Sequence, residues 1–221
     1  MNGKKLKVLN LYAGIGGNRK LWTNVDVTAV EYNPEIAKIY NFYYPDDNVI
    51  VDDSKYYLVN NYKRFDFIWG SPPCQTHSRI RFASSKRGSY LPKIPDLGLY
   101  EIILFLKHYF GGKWVVENVI PFYEPLVAPT VKIGRHYFWS NFDIKNVDII
   151  DRKSNKVSSG DVLYGYDLSN FKTSMRKDQI LRNMFNPVLG KYILDEVLFA
   201  QLSNPKQKDV IKNESKKGKT I

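Results

Sequence analysis

LKVLNLYAGIGG, residues 6–17, is a continuous apolar run that breaks into glycines. Unbroken apolar character over residues 6–12 marks a strand buried on both faces, as parallel strands are. Glycines just after such a strand let a ligand approach the backbone closely. The next segments keep the rhythm. VDVTAVE (25–31) reads as a second strand, and Asn33-Pro34 as a helix N-cap with proline at the first helical position. That helix, PEIAKIYNFYY, runs to Pro45. NVIVD (48–52), FDFIWG (65–70) and KWVVE (113–117) read as further strands. LGLYEIILFLKHYF (97–110) is a strong helix stopped by Gly111-Gly112. Alternating strands and helices predict an α/β fold, a doubly wound, mostly parallel sheet covered on both faces.

In such sheets ligands gather at the carboxyl ends of the strands. Residues 12–17, Glu31, Asp53, 70–78 and 117–119 all come after predicted strands, so one crevice can collect them. Beyond Trp139 the pattern is shorter and more β-like (FWSNFDI, VDII), then polar (DRKSNKVSSGD). Asn186-Pro187 opens a last helix, VLGKYILDEVLFAQL. The expected organisation is a catalytic and cofactor-binding domain over 1–140 and a small β-rich recognition region over 141–182. A closing helix over 183–203 returns to the first domain, and a basic, disordered tail spans 204–221.

The 221 residues carry a net charge of +11. The tail contributes six lysines against Asp209 and Glu214, which leaves about +7 on the rest. A surplus of that size points to a polyanionic partner, with a solubilising surface as the bland alternative. No apolar run is long enough to cross a bilayer, and the basic start MNGKK lacks the apolar stretch and cleavage site of a signal peptide. The expected location is therefore the cytoplasm, with no membrane partner. The single cysteine, Cys74, precludes an intramolecular disulfide, and His77, His108 and His136 lack metal-ligand spacing, so no bound metal is expected.

Five short segments carry chemistry. Glycines 14 and 16 with Glu31, at the end of the next strand, suit a nucleoside whose ribose hydroxyls need a carboxylate acceptor. The spacing G-x-G-G falls short of the full dinucleotide fingerprint, which favours a methyl donor over a nicotinamide. In VDDSKYYL, Asp53 is taken as the acceptor for an adenine amino group, with Asp52 its rival. In GSPPCQTHS (70–78) two prolines stiffen the chain before Cys74 and project its thiol at a strand end. The nearby Arg79, Arg81, Lys86 and Arg87 can lower a thiol pKa or hold phosphates. The polar stretch from Gln75 to Lys93 reads as a long loop that closes over a nucleic-acid backbone. In WVVENV (114–119), Glu117 ends a very apolar strand, where a carboxylate is costly without partners or work. Asn118 is positioned to fix the loop that presents it. In GRHYFWSN (134–141), Arg135 precedes an aromatic strand. Most of the 16 Tyr, 12 Phe and 4 Trp suit a core, with Tyr12 expected near an adenosine and Tyr137 near the catalytic face.

The order of these segments resembles the DNA (cytosine-5) methyltransferase family over about residues 6–200. LYAGIGG resembles the family's F-x-G-x-G cofactor loop, with Tyr12 in place of Phe, and SPPCQTHS resembles its Pro-Cys-Gln nucleophile loop. ENV (117–119) is identical to the glutamate motif, RHYFWSN resembles the Arg-x-Arg strand, and LRNMFNPVLGKYILDEVL (181–198) resembles the closing segment. The resemblance implies a Rossmann-like class I S-adenosylmethionine-dependent methyltransferase. Its donor is S-adenosylmethionine, its product S-adenosylhomocysteine, and its partner double-stranded DNA, acted on by a monomer in a bacterium or its phage. It implies catalysis by Cys74, Glu117 and Arg135. It places Tyr12, Gly14, Gly16, Glu31, Asp53, Pro72 and Asn183 at the cofactor, and Gln75, Ser78, Arg79, Arg81, Lys86 and Arg87 on DNA. Two departures stand out. The paired arginines are reduced to Arg135, with His136 or Tyr137 at the second place, and the recognition region is short. An RNA (tRNA) cytosine-5 methyltransferase, a catalytically silent nucleic-acid-binding relative and a nicotinamide-dependent oxidoreductase are the rival readings.

Overall fold

A computed structural model describes residues 4–148 and 162–202. Seven strands form one sheet: β1 (Leu6–Leu11), β2 (Val25–Glu31), β3 (Asn48–Val51), β4 (Phe67–Gly70), β5 (Lys113–Val119), β6 (Val131–Ile133) and β7 (His136–Ser140). Their order is β3-β2-β1-β4-β5-β7-β6. The first five run parallel, and β7 enters antiparallel between β5 and β6. The chain winds outward from β1 to β3, then crosses back to β4 on the other side of β1. That reversal opens a crevice at the carboxyl ends of β1 and β4. The fold is α/β and Rossmann-like, as the alternation predicts.

Periodicity explains the two faces. On β1, Leu6 and Val8 join Phe67, Trp69 and Val115 beneath α6 (Pro187–Leu202). Leu9 and Leu11 face the other way, toward α2 (Ser54–Asn61) and the Leu99, Ile102, Ile103 and Leu106 stripe of α4 (Gly98–Tyr109). The helix α1 (Pro34–Tyr43) starts where expected, with the Asn33 Oδ1 atom accepting from the Glu35 and Ile36 amides.

Two helices differ from the sequence reading. α2 starts at a side-chain cap from Asp53, whose Oδ1 accepts from the Lys55 and Tyr56 amides at 2.9 Å each. Within the stretch read as a long loop, Arg79–Lys86 forms α3, capped by Ser78. It buries no residue, so it shows no apolar periodicity to read. In the recognition region, FWSNFDI contributes strand only through Ser140, and part of VDII and DRKSNKVSSGD lie outside the described residues. The chain then forms a hairpin, β8 (Val162–Leu163) and β9 (Tyr166–Asp167), and a short helix, α5 (Lys177–Asn183). Tyr166 and Leu168 bury against Ile36 and Ile39 of α1. The tail expected to be disordered also lies outside the described residues. Among the described residues no helix is long and apolar enough to cross a membrane.

The closing helix makes backbone-to-backbone contact with the turn after β1. A Cβ on Gly17 would stand 2.4 Å from the Phe185 carbonyl oxygen, and one on Gly190 2.5 Å from that of Asn18. Beneath this contact, Asn10 and Asn18 exchange amide hydrogen bonds at 2.8 and 3.3 Å, both shielded from water. The Trp22 indole N–H donates to the Gly190 carbonyl at 3.0 Å. Arg19 is pinned by a two-armed pair with Asp47, at 2.8 and 3.0 Å, that is nearly buried. Breaking such a pair by removing one partner costs about 3–5 kcal/mol.

Gly190→Ala tests the contact. In an open helix interior the change stabilises by up to about 1 kcal/mol. Here the added methyl meets backbone, and urea unfolding should show a loss of roughly 1–3 kcal/mol instead.

Candidate active site

The turn after β1 departs from ordinary backbone at three points. Tyr12, Gly14 and Gly16 have φ of 54°, 55° and 84°. Gly14 has nothing within 4 Å of the place a Cβ would occupy, so the backbone there is open. Its amide donates to Glu31 Oε2 at 2.9 Å, and the Asn33 amide donates to Oε1 at 2.9 Å. Burial raises the Glu31 carboxyl above its ordinary value, against the lowering effect of those N–H groups. Each carboxylate oxygen keeps accepting capacity, so the pair of oxygens fits the two hydroxyls of a ribose. The Tyr12 amide donates to Ser54 Oγ at 3.1 Å, and burial pushes the Tyr12 phenol well above its usual range.

Gly16 is held by two tyrosines, one of them far along the chain. The hydroxyls of Tyr44 and Tyr166 lie 3.0 and 2.7 Å from its carbonyl and also meet each other, so that their two protons serve the three contacts in turn. Burial pushes the Tyr44 phenol up to about 12 and that of Tyr166 further. A Cβ on Gly16 would stand 2.4 Å from the Tyr44 ring. Tyr166 lies in the region expected to read the target, yet here it braces the glycine turn.

Other cofactor candidates sort differently. Asp53 is exposed and its Oδ1 caps α2, while Asp52 Oδ1 accepts from the Asp53 amide at 2.8 Å. Asn183 is exposed at the end of α5. Asn186, three residues on, is 5% exposed and lies at the junction that presses on Gly17. Its Oδ1 accepts from the Val188 and Leu189 amides and so starts α6. The residues packed on the glycine turn are Met184 and Phe185, at Gly17. The sequence carried the signal of this segment as a cap, Asn-Pro.

Pro72, buried after β4, accepts a hydrogen bond from Asn118 Nδ2 at 2.9 Å, itself 1% exposed. Asn118 therefore fixes the nucleophile loop, not only the loop beyond Glu117. Cys74 is half-buried, and its carbonyl accepts the His77 and Ser78 amides at 3.1 Å each, closing a tight turn around it. His77 is buried, with Nδ1 2.5 Å from the Tyr123 hydroxyl, and burial lowers its pKa. No sequence signal separated this histidine from a surface one.

Glu117 is 8% exposed, and the imidazole of His136 comes to 4.0 Å from its Oε2. Strand alternation explains the pairing. On β7, His136 and Phe138 face Phe185 beside α6, while Tyr137 and Trp139 pack on the α4 face. Tyr137 therefore lies on the opposite face of the sheet from Glu117. Arg135 is exposed and sits in the β6–β7 turn, its carbonyl accepting from the Ile120 amide at 3.1 Å. His136 stands on the Glu117 side of β7.

The basic residues after Cys74 lie on or beside α3. The Arg79 Nε donates to the Pro121 carbonyl at 2.9 Å and so ties α3 to the loop after β5. Lys86 lies 5.5 Å from the Phe82 ring centroid, and Arg87 reaches Ser84 Oγ at 3.5 Å. Gln75, Lys86 and Arg87 are exposed, and Ser78 is half-buried.

The family model for C-5 cytosine-specific DNA methylase matches residues 6–122, just over half of the chain. The match contains the glycine turn, Cys74 and Glu117, and stops before Arg135 and the closing segment. Among solved structures, a triple mutant of Spodoptera frugiperda DNMT2 is 23% identical, with a TM-score of 0.42 over 66% of this chain and 54% of that one. The Entamoeba histolytica methyltransferase EhMeth is 19% identical, with a TM-score of 0.35 over 53% of this chain and 39% of that one. The chain thus spans about half of those structures or less. No curated protein matches significantly in sequence.

Tyr166→Phe removes one of the two donors to the Gly16 carbonyl. A lost buried hydrogen bond costs about 1 kcal/mol, so S-adenosylhomocysteine should bind roughly fivefold more weakly by calorimetric titration. An unchanged affinity would mean that the brace does not act on the turn.

Proposed function

The chain belongs to the C-5 cytosine-specific DNA methylase family, and from that premise we propose that it methylates carbon-5 of cytosine in DNA through a covalent Cys74 adduct. The observation that carries the reading is the Asn118-to-Pro72 hydrogen bond. It locks the loop bearing Cys74 to the strand bearing Glu117 at the same end of the sheet. A nucleophile and a buried acid so joined suit a reaction that needs both on one ring at once.

The target carbon is a poor nucleophile. Cys74, as thiolate, adds to carbon-6 and makes carbon-5 electron-rich, splitting one hard step into easier ones. Glu117 holds the proton at ring N3 and accepts from the exocyclic amine, which keeps negative charge from building on the ring. Arg135 would grip the base carbonyl, the phosphate or that carboxylate, with His136, 4.0 Å from Oε2, beside it. After methylation, loss of the carbon-5 proton to a base lets the thiolate leave and restores the aromatic ring. The base lies inside the duplex stack and has to be extruded to reach the thiol.

The donor is S-adenosylmethionine, which when bound supplies an electrophilic methyl group. Gly14, Gly16 and Glu31 would hold its adenosine, with Tyr12 and Pro72 beside it. The open backbone at Gly14 and the paired acceptors of Glu31 support the fit. Asp53, with Asp52 its rival, and Asn183 remain proposed neighbours of the cofactor. Gln75, Ser78, Arg79, Arg81, Lys86 and Arg87 would meet the DNA backbone. The recognition region over 141–182 and the closing helix over 183–203 are proposed as functional divisions of the chain.

Transfer of tritiated methyl to duplex DNA, with total tRNA as the competing substrate, tests the reading. DNA should be labelled and tRNA should not. Cys74→Ala should abolish labelling, and Glu117→Gln should lower it at least about a hundredfold. An oligonucleotide carrying 5-fluoro-deoxycytidine should form an adduct on Cys74 visible in the intact mass. Labelling that survives Cys74→Ala would overturn the mechanism.

A further inference from the structure

A cavity of about 280 Å³ lies immediately beyond Cys74, lined by Gln75, Arg81, Phe82, Lys86, Lys93 and Phe122 among others. Neither Cys74 nor Glu117 lines it, so it is distinct from the place where a target base would react. Its floor is aromatic and rigid. The Phe82 and Phe122 rings stack with centroids 4.3 Å apart and planes 3° from parallel. Tyr123 meets Phe122 edge-on at 5.1 Å, and the Phe122 amide donates to the His77 carbonyl at 3.1 Å. Arg79, bonded to Pro121, fastens the helix that carries Phe82 to the loop that carries Phe122. Phe82 remains 40% exposed, with the Lys86 ammonium 5.5 Å from its ring centroid and within reach of a phosphate beside a stacked base.

The rim is cationic. Arg81, Lys86 and Lys93 line the cavity, and no carboxylate does among the described residues. The Arg81 Nε is shielded from water and has no hydrogen-bond partner among the described residues. A shielded donor without an acceptor is costly, and an anionic ligand would satisfy it. An aromatic platform under a basic rim is the combination that holds an unstacked base with its phosphate.

We propose that this cavity takes the nucleotide next to the target cytosine, with its base laid on Phe82 and its phosphate on Arg81. Two adjacent bases then leave the stack instead of one, and the preferred substrate is DNA whose target neighbourhood is unpaired. The proposal rests on the reading of the protein as a cytosine methylase, and it adds a substrate preference. Electrostatics alone works in the opposite direction, because a single strand has the lower charge density. A preference for single strands therefore isolates the stacking contribution.

The test is binding at fixed ionic strength, by fluorescence anisotropy, of a labelled cytosine-containing 12-mer alone and annealed to its complement. The wild-type protein should bind the single strand about tenfold more tightly than the duplex. Phe82→Leu should erase the preference with duplex affinity unchanged, and Phe82→Trp should retain it. Arg81→Gln should weaken single-strand binding. Equal affinities for the two forms, or a preference that survives Phe82→Leu, would overturn the proposal. The 5-fluoro-deoxycytidine adduct, measured on the same strand, reads the methylase assignment separately. A strand preference without an adduct keeps the cavity and removes the chemistry, whereas an adduct without a preference does the reverse.

Discussion

Two glycines that allow backbones to touch set the rest of this structure in place. Gly17 and Gly190 carry no side chain where the turn after β1 meets the closing helix, and any added carbon would overlap a main-chain atom. The meeting seats α6 over one face of the sheet, packs Met184 and Phe185 on the turn and lets Asn10 and Asn18 satisfy each other out of water. A segment near the end of the chain thus shapes a turn near its start. That turn is also where the ligand-facing glycines stand, so core packing and cofactor geometry share one constraint.

The site depends on a second economy of contacts. Asn118 sits within β5 beside Glu117, and its amide reaches the carbonyl of Pro72 two residues before Cys74. One buried side chain therefore couples the loop of Cys74 to the strand of Glu117 without a flexible intermediary. On the other flank, Tyr44 and Tyr166 converge on the Gly16 carbonyl. A hairpin outside the glycine turn thus takes part in shaping it, which gives the compact region after β7 a structural task in addition to any reading of bases.

Much of the sheet was legible because buried parallel strands write themselves as apolar blocks. β1, β2, β4 and β5 were all found within two residues at each end, with no help from side-chain contacts. α2 and α3 were not. SKYYLVNN is a helix of weak amphipathicity started by a capping aspartate, and RIRFASSK buries nothing at all. The same limits decided the site. Cys74 and Glu117 stood out as a reactive group and a costly one at strand ends. Alternation along β7, which puts His136 on the Glu117 side and Tyr137 on the other, depends on a strand start that charge and aromatic content do not mark. The closing segment was visible as a helix cap at Asn186-Pro187, and its packing of Met184 and Phe185 on Gly17 depends on contacts across more than 160 positions of chain.

The β6–β7 connection is a two-residue reversal, Gly134-Arg135, with Ile133 opposite His136 and glycine taking the positive φ. Side chains on a strand alternate faces, so a one-residue slip of β7 against β5 would carry the imidazole to the far side of the sheet from the buried acid. An added residue in this hairpin therefore preserves the pairing only if the reversal itself absorbs it.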